Sequence, residues 1–166
     1  MNKVKAFTIM EVTITMLISA VLIGIAYTSY SIIIKSYNSF NDKNNKLAVL
    51  YNLDHLLKRD FDQAAIISKD QSDIAIKKDN VLITYKFYAD FVTRKGASID
   101  TFKVQTDGLI TNFENAPVIG LAGSGNLERV DELLFNVQFD KEKIPYHYTK
   151  VYSSENLVEN TPDAIN

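Results

Sequence analysis

The chain has 166 residues, with 18 Lys+Arg against 20 Asp+Glu and no cysteine. That length suits one domain with an appendage, and the missing cysteines exclude a disulfide framework, a thiolate zinc site and a cysteine nucleophile. A net charge of -2 offers no basic footprint and argues against nucleic acid as a partner.

The hydrophobic fraction, 46%, is ordinary for a globular protein, but it is unevenly placed. From Phe7 to Ile34, 19 of 28 residues are hydrophobic, and no charge occurs between Val12 and Ile34. A helix over those 23 positions spans about 34 Å, enough to cross a hydrocarbon core of about 30 Å. Lys3 and Lys5 precede the run and Lys35 closes it. The lysines on both sides balance, and the short N-terminal stretch favours an orientation with the N-terminus inside. A cleaved secretory signal would have an apolar core of only about 7–15 residues, so this run is too long for one. A plain anchor fits the length and leaves Glu11 without a role. An ionisable group at membrane depth costs a few kcal/mol and calls for a partner, unless Glu11 lies at the interface and reaches water.

The residues Lys5-Ala6-Phe7-Thr8-Ile9-Met10-Glu11-Val12 resemble the prepilin motif of type IV pilins and type II secretion pseudopilins. In that family a short basic leader ends in a small residue, cleavage exposes a Phe, and a Glu stands fifth in the mature chain ahead of about twenty apolar residues. The resemblance implies a leader over 1–6, cleavage between Ala6 and Phe7 by a prepilin peptidase, and N-methylation of Phe7. It also implies an assembly role for Glu11, whose carboxylate would pair with the Phe7 ammonium of a neighbouring subunit. Either charge buried alone is costly, and a close pair offsets much of that cost. Thr8, Thr13, Thr15 and Ser19 are candidates for interhelical hydrogen bonds or for bonds to their own helix. The chain departs from the family in having Ala6 where Gly is usual, and in lacking a proline in the apolar helix.

Beyond the apolar run, Lys35 to Ile67 contains neither Gly nor Pro. Leu47, Leu50, Asp54, Leu57, Phe61 and Ala64 recur at helical spacing, broadened by Leu53 and Leu56, which predicts an amphipathic helix with one core face. One helix from Phe7 to Ile67 follows, with residues 7–34 as the membrane or filament-core part. Lys58-Arg59 and Asp60-Phe61-Asp62 read as a solvated charged face near its end. From Asp73 the period becomes two. Strands are predicted over Asp73-Ile74-Ala75-Ile76, over Val81, Ile83, Tyr85 and Phe87, over Ile99–Gln105, Leu109–Phe113 and Leu133–Phe139, and weakly over Tyr146, Tyr148 and Val151-Tyr152. Lys77-Lys78-Asp79-Asn80 and Asp107-Gly108 read as turns. One helix followed only by strands with short connections is an α+β fold, an antiparallel sheet packed on the helix over residues 35–152. Residues 153–166 read as a polar tail.

This order matches pilin-like proteins, and Leu53-x-x-Leu56-Leu57-x-x-Asp60-Phe61 resembles the helix end of the J-type minor pseudopilins. Lack of cysteine also removes the C-terminal disulfide loop of many major pilins. The catalytic inventory is thin: His55 and His147 are far apart, neither an HExxH nor a GxSxG occurs, and both histidines read as surface positions. Gly120–Asn126 lacks the Lys-Ser/Thr of a phosphate loop and reads as a loop. Asp107, Glu114, Asp131 and Glu132 do not have calcium-loop spacing. Neither cofactor nor metal is expected. The expected function is a non-enzymatic minor subunit of a type IV pilus or type II secretion pseudopilus. It would be inserted once in the cytoplasmic membrane, with its body outside the cytoplasm. Its partners would be other pilin or pseudopilin subunits, the prepilin peptidase and the assembly platform, and after assembly it would lie in a periplasmic or surface filament. The alternative is a single-pass anchored binding or sensor domain that does not polymerise.

Overall fold

The structure, a computed structural model, describes residues 8–71, 73–79, 81–119, 128–154 and 156. It divides into two units, Met1–Asn45 and Lys46–Asn166, both of which draw on one helix, α1, Ile9–Gln63. In the first unit the helical residues are exposed except for half-buried Ser31. Side chains such as Leu17, Leu22 and Ile32 face outward, because that unit contains no second apolar surface among the described residues. A continuous exposed apolar surface of this kind marks contact with membrane or protein. By length and composition this helix can cross a membrane.

The second unit is the expected α+β fold, with the helix packed on antiparallel sheet. Leu50, Leu53, Leu57 and Phe61 of α1 enter the core, at the 3–4 spacing that puts them on one face. Leu47 of the predicted stripe is instead exposed. The helix also ends at Gln63, four residues before the expected Ile67. No Gly or Pro stops it. The paired β-branched residues Ile66 and Ile67 favour the pleated state, and the Ala65 amide already donates to the Lys77 carbonyl at 2.8 Å.

The strands are β1 (Ile66–Asp70), β2 (Asp73–Lys78), β3 (Val81–Phe87), β4 (Val92–Lys95), β5 (Ile99–Phe102), β6 (Gln105–Phe113), β7 (Ala116–Pro117), β8 (Glu128–Arg129), β9 (Glu132–Phe139) and β10 (Glu142–Thr149). They form two sheets where one was expected: β5-β4-β3-β2-β1-β8, and β10-β9-β6-β7. The predicted strand Ile99–Gln105 is where the chain changes sheet. Phe102 ends β5 and Gln105 opens β6, while Phe102 and Val104 still point into the core. Lys77 and Lys78 belong to β2, so the predicted turn is carried by Asp79 at φ 49°, with Asn80 outside the described residues. Asp107-Gly108 is no turn. It is a bulge inside β6, with Gly108 at φ 65° and the β9 register shifting between Asp107 and Ile110.

Main-chain and side-chain bonds join the sheets along the β1–β6 seam. The Val130 amide donates to Ile67 O at 2.9 Å, and the Asp131 amide to Asn112 O at 3.0 Å. Lys69 Nζ reaches from β1 to Thr111 Oγ1 on β6 and to the Val118 carbonyl, both at 3.0 Å. Burial lowers the pKa of this ammonium, against a smaller opposing effect of Glu128. Tyr152, beyond β10, plugs the edge of β1 where β8 has run out. Its hydroxyl accepts from the Ile67 amide at 3.1 Å and donates to the Val130 carbonyl. Ser154 and Asn156 are helical; Glu155 and 157–166 of the predicted tail, like the glycine-rich Gly120–Asn126, lie outside the described residues.

Candidate functional site

The first candidate is the start of α1. Ala6 and Phe7, the predicted cleavage pair, lie outside the described residues. Glu11 is in the first helical turn. Its carboxylate accepts from the Thr8 amide at 3.2 Å and from the Thr8 hydroxyl at 3.3 Å, while the Glu11 amide donates to Thr8 Oγ1 at 3.3 Å. This is a reciprocal capping box: each side chain accepts from the other residue's amide, and the Glu11 amide shares its hydrogen between Thr8 Oγ1 and the Thr8 carbonyl at 3.1 Å. The Thr-x-x-Glu spacing carries that signal in the sequence and was not among the expected roles of these residues. A carboxylate there also faces the positive end of the helix dipole. Thr13 donates to Met10 O at 2.9 Å, and Thr15 to Glu11 O and Val12 O at 2.9 and 2.8 Å. Both hydroxyls therefore bond their own helix.

The second candidate is a polar cluster where the end of α1 meets the first sheet. Asp60 was expected on a solvated face and is 3% exposed. The helical pitch explains the correction: Leu53, Leu57, Asp60 and Ala64 follow one another at spacings of four, three and four on the buried face. Asp60 Oδ2 accepts from Arg94 Nε on β4 at 2.8 Å and from the Tyr85 hydroxyl on β3 at 2.7 Å. Asp60 Oδ1 accepts from the Arg59 guanidinium at 3.1 Å. Arg94 also lies 3.1 Å from the Tyr85 hydroxyl and 3.4 Å from Asp100 Oδ2. Burial is the largest single influence on Asp60 and raises its pKa. The Arg94 and Tyr85 hydrogen bonds and the Arg94 charge together outweigh it, so the carboxyl is held below its ordinary value. For Tyr85, burial and then the Asp60 carboxylate push the phenol pKa up. Every oxygen of this carboxylate is engaged, so it is a tether without a reacting proton.

The remaining expected positions are scattered. Tyr148 donates to Asp54 Oδ1 at 2.6 Å, and the Tyr148 ring stacks with those of Phe135 and Tyr146 in the core. His55 is exposed and stacks on Tyr51. His147 meets Glu132 at 2.7 Å on the exposed side of the β9–β10 hairpin. The four carboxylates weighed for calcium do not converge. Asp107 bonds Lys143 and Asn136, Asp131 accepts from the Glu114 amide, and Glu132 accepts from Asn112. Among the described residues there is no group of three His, Cys, Asp or Glu placed to hold a metal. Comparison with family models, curated proteins and solved structures gave no match.

Proposed function

We propose that the chain is a structural subunit, not an enzyme: a minor pilin or type II secretion pseudopilin held in the cytoplasmic membrane until it is assembled into a filament or its tip. The observation that carries this reading is Glu11, the one charge at the head of an exposed apolar helix able to cross a membrane. In this reading a prepilin peptidase removes residues 1–6, and Phe7 becomes a methylated ammonium terminus. The carboxylate that caps the isolated helix then gains a second use, pairing with a neighbouring subunit's terminus as the helices pack. The membrane-side partners are the peptidase and the assembly platform; the filament partners are sibling subunits. The disulfide-free second unit would lie outside the cytoplasm.

Intact mass and N-terminal sequencing of the protein isolated from its own membranes test this. The expected product lacks Met1–Ala6 and carries one added methyl on Phe7. A mature chain that keeps Met1, or one cut near residue 30, overturns the assembly reading in favour of an anchored domain that does not polymerise.

A further inference from the structure

The second sheet ends on an edge that the assembly reading does not use. Among the edge strands β5, β8, β7 and β10, the last is the longest, at eight residues. Its pairing with β9 fixes which of its main-chain groups point away from the sheet. The hairpin loop is Asp140-Lys141, so Phe139 and Glu142, which flank it, exchange both main-chain bonds. Alternation then gives Ile144, Tyr146 and Tyr148 bonded pairs with β9, and directs the main-chain groups of Lys143, Pro145, His147 and Thr149 outward. Pro145 conforms to this, because the N–H it lacks is one that β9 does not need. No described residue bonds these outward groups. The side chains divide in the same way. Ile144 and Tyr146 lie on the core side and are only half-buried, while Lys143, Pro145, His147 and Thr149 are exposed on the other side. There Lys143 already meets Asp107 and His147 already meets Glu132. Glu142, at the start of the strand, is exposed and makes no ion pair with a described residue.

We infer that β10 receives an extended segment of a partner protein, which adds to the second sheet as a further strand. The segment is about seven residues long, matching Lys143 to Thr149. Its core-side positions carry apolar side chains, which lie beside Ile144 and Tyr146. The alternate positions carry uncharged polar ones, because Lys143 and His147 already have their counterparts. A Lys or Arg near one end meets Glu142. A second copy of β10 fits less well. Any two-fold pairing of β10 with itself that covers Pro145 meets the proline on both chains, and leaves a carbonyl on each without a donor. A different strand meets it once. The inference holds whether or not the chain polymerises.

The test uses the full-length protein in neutral detergent micelles. In the free protein the amides of Lys143 and His147 should exchange with solvent fast and those of Ile144 and Tyr146 slowly. Slow exchange at His147 would mean that the edge is already filled, and overturns the inference. The protein is then applied to an array of heptapeptides randomised at all positions. Bound peptides should alternate apolar with uncharged polar residues and carry Lys or Arg near one end. The best of them is labelled and followed by fluorescence anisotropy. Methylating its backbone nitrogens one at a time should weaken binding about fivefold at alternate residues, the scale of one hydrogen bond, and hardly at all at those between. Pro145→Ala supplies the missing donor and should tighten binding by a similar factor. His147→Pro removes a donor and should weaken it, whereas His147→Ala keeps the donor and should leave it unchanged. The methyl scan leaves the protein unaltered, so it decides the matter even where a variant disturbs the hairpin. Equal effects of methylation at every position, or bound peptides without alternation, overturn the inference. So does dimerisation that Pro145→Ala strengthens while no peptide binds, because it gives the edge to a second copy of the chain.

Discussion

Arg94 Nε lies 2.8 Å from Asp60 Oδ2, so the fourth strand of the first sheet grips the last turn of the helix through a guanidinium 11% exposed and a carboxylate 3% exposed. Removing one partner of such a pair leaves the other buried and uncompensated, which costs about 3–5 kcal/mol. Asp60→Asn should therefore destabilise the second unit by about 3 kcal/mol in denaturant titrations of the full chain. The double change Asp60→Leu with Arg94→Met should cost less than the sum of the single changes. Strict additivity would show that the two groups do not act as a pair.

The same carboxyl sets an acid dependence. Its pKa is lower in the folded than in the unfolded chain, so the unfolded chain binds the proton more readily. Its contribution is complete above the unfolded value of about 3.9 and is lost as pH falls through the lower folded value. Between pH 5 and pH 3 the wild-type protein should lose more stability than Asp60→Asn does. Parallel losses in the two proteins would remove Asp60 as the source.

Tyr152→Phe removes a hydroxyl that serves a backbone amide and a backbone carbonyl at the edge of β1. Leaving such groups unpaired costs about 1–3 kcal/mol. The amide of Ile67 should then exchange with solvent markedly faster, with little change at Ile76 in the middle of the sheet. Burial, outweighing the hydrogen bond to Ile67, pushes the Tyr152 phenol up to about 12, so phenolate formation should not open this edge at pH 9. Selective loss of Ile67 protection at that pH would contradict the plug.

Thr8→Ala and Glu11→Ala separate the two uses of the helix start. Both break the capping box, at a cost of about 1 kcal/mol in helix fraying. Only the second removes the carboxylate. Under the proposed function both variants should insert in the membrane, while Glu11→Ala alone is strongly impaired in filament incorporation. Equal incorporation of the two variants would reduce Glu11 to a cap.

Gly108→Ala should destabilise by about 1–2 kcal/mol, because φ of 65° is costly for a residue with a Cβ. The added carbon would also lie 3.2 Å from Asn136 Nδ2. Truncating Asn136 to Ala in the same chain should recover only the crowding part, leaving most of the loss. Full recovery would mean that backbone strain is small there.

Elements with a strong local period were legible in the sequence. Leu133, Phe135 and Val137 alternate and are buried on one face of β9, and Leu50, Leu53 and Leu57 fall on the core face of α1. What escaped was decided by partners distant in the chain. The helix stop at Gln63 depends on Lys77 receiving the Ala65 amide. The division into two sheets depends on Phe102 and Gln105 finding different neighbours. Burial of Asp60 could be suspected from its place between Leu57 and Ala64, but its partner Arg94 is 34 positions away and lies on a strand too short to read. The Thr8–Glu11 box is the opposite case, a wholly local signal that the assembly role of Glu11 overshadowed.

The Asp60–Arg94 tether has a mechanical consequence. Leucine and phenylalanine side chains can slip along a sheet from one apolar contact to the next with little change in energy. A carboxylate held by a guanidinium and a phenol has only one matching site. The tether therefore fixes the end of the helix against rotation and against axial sliding. Under tension along the helix, the load would pass into β3 and β4 through these few polar bonds before the apolar contacts began to shear.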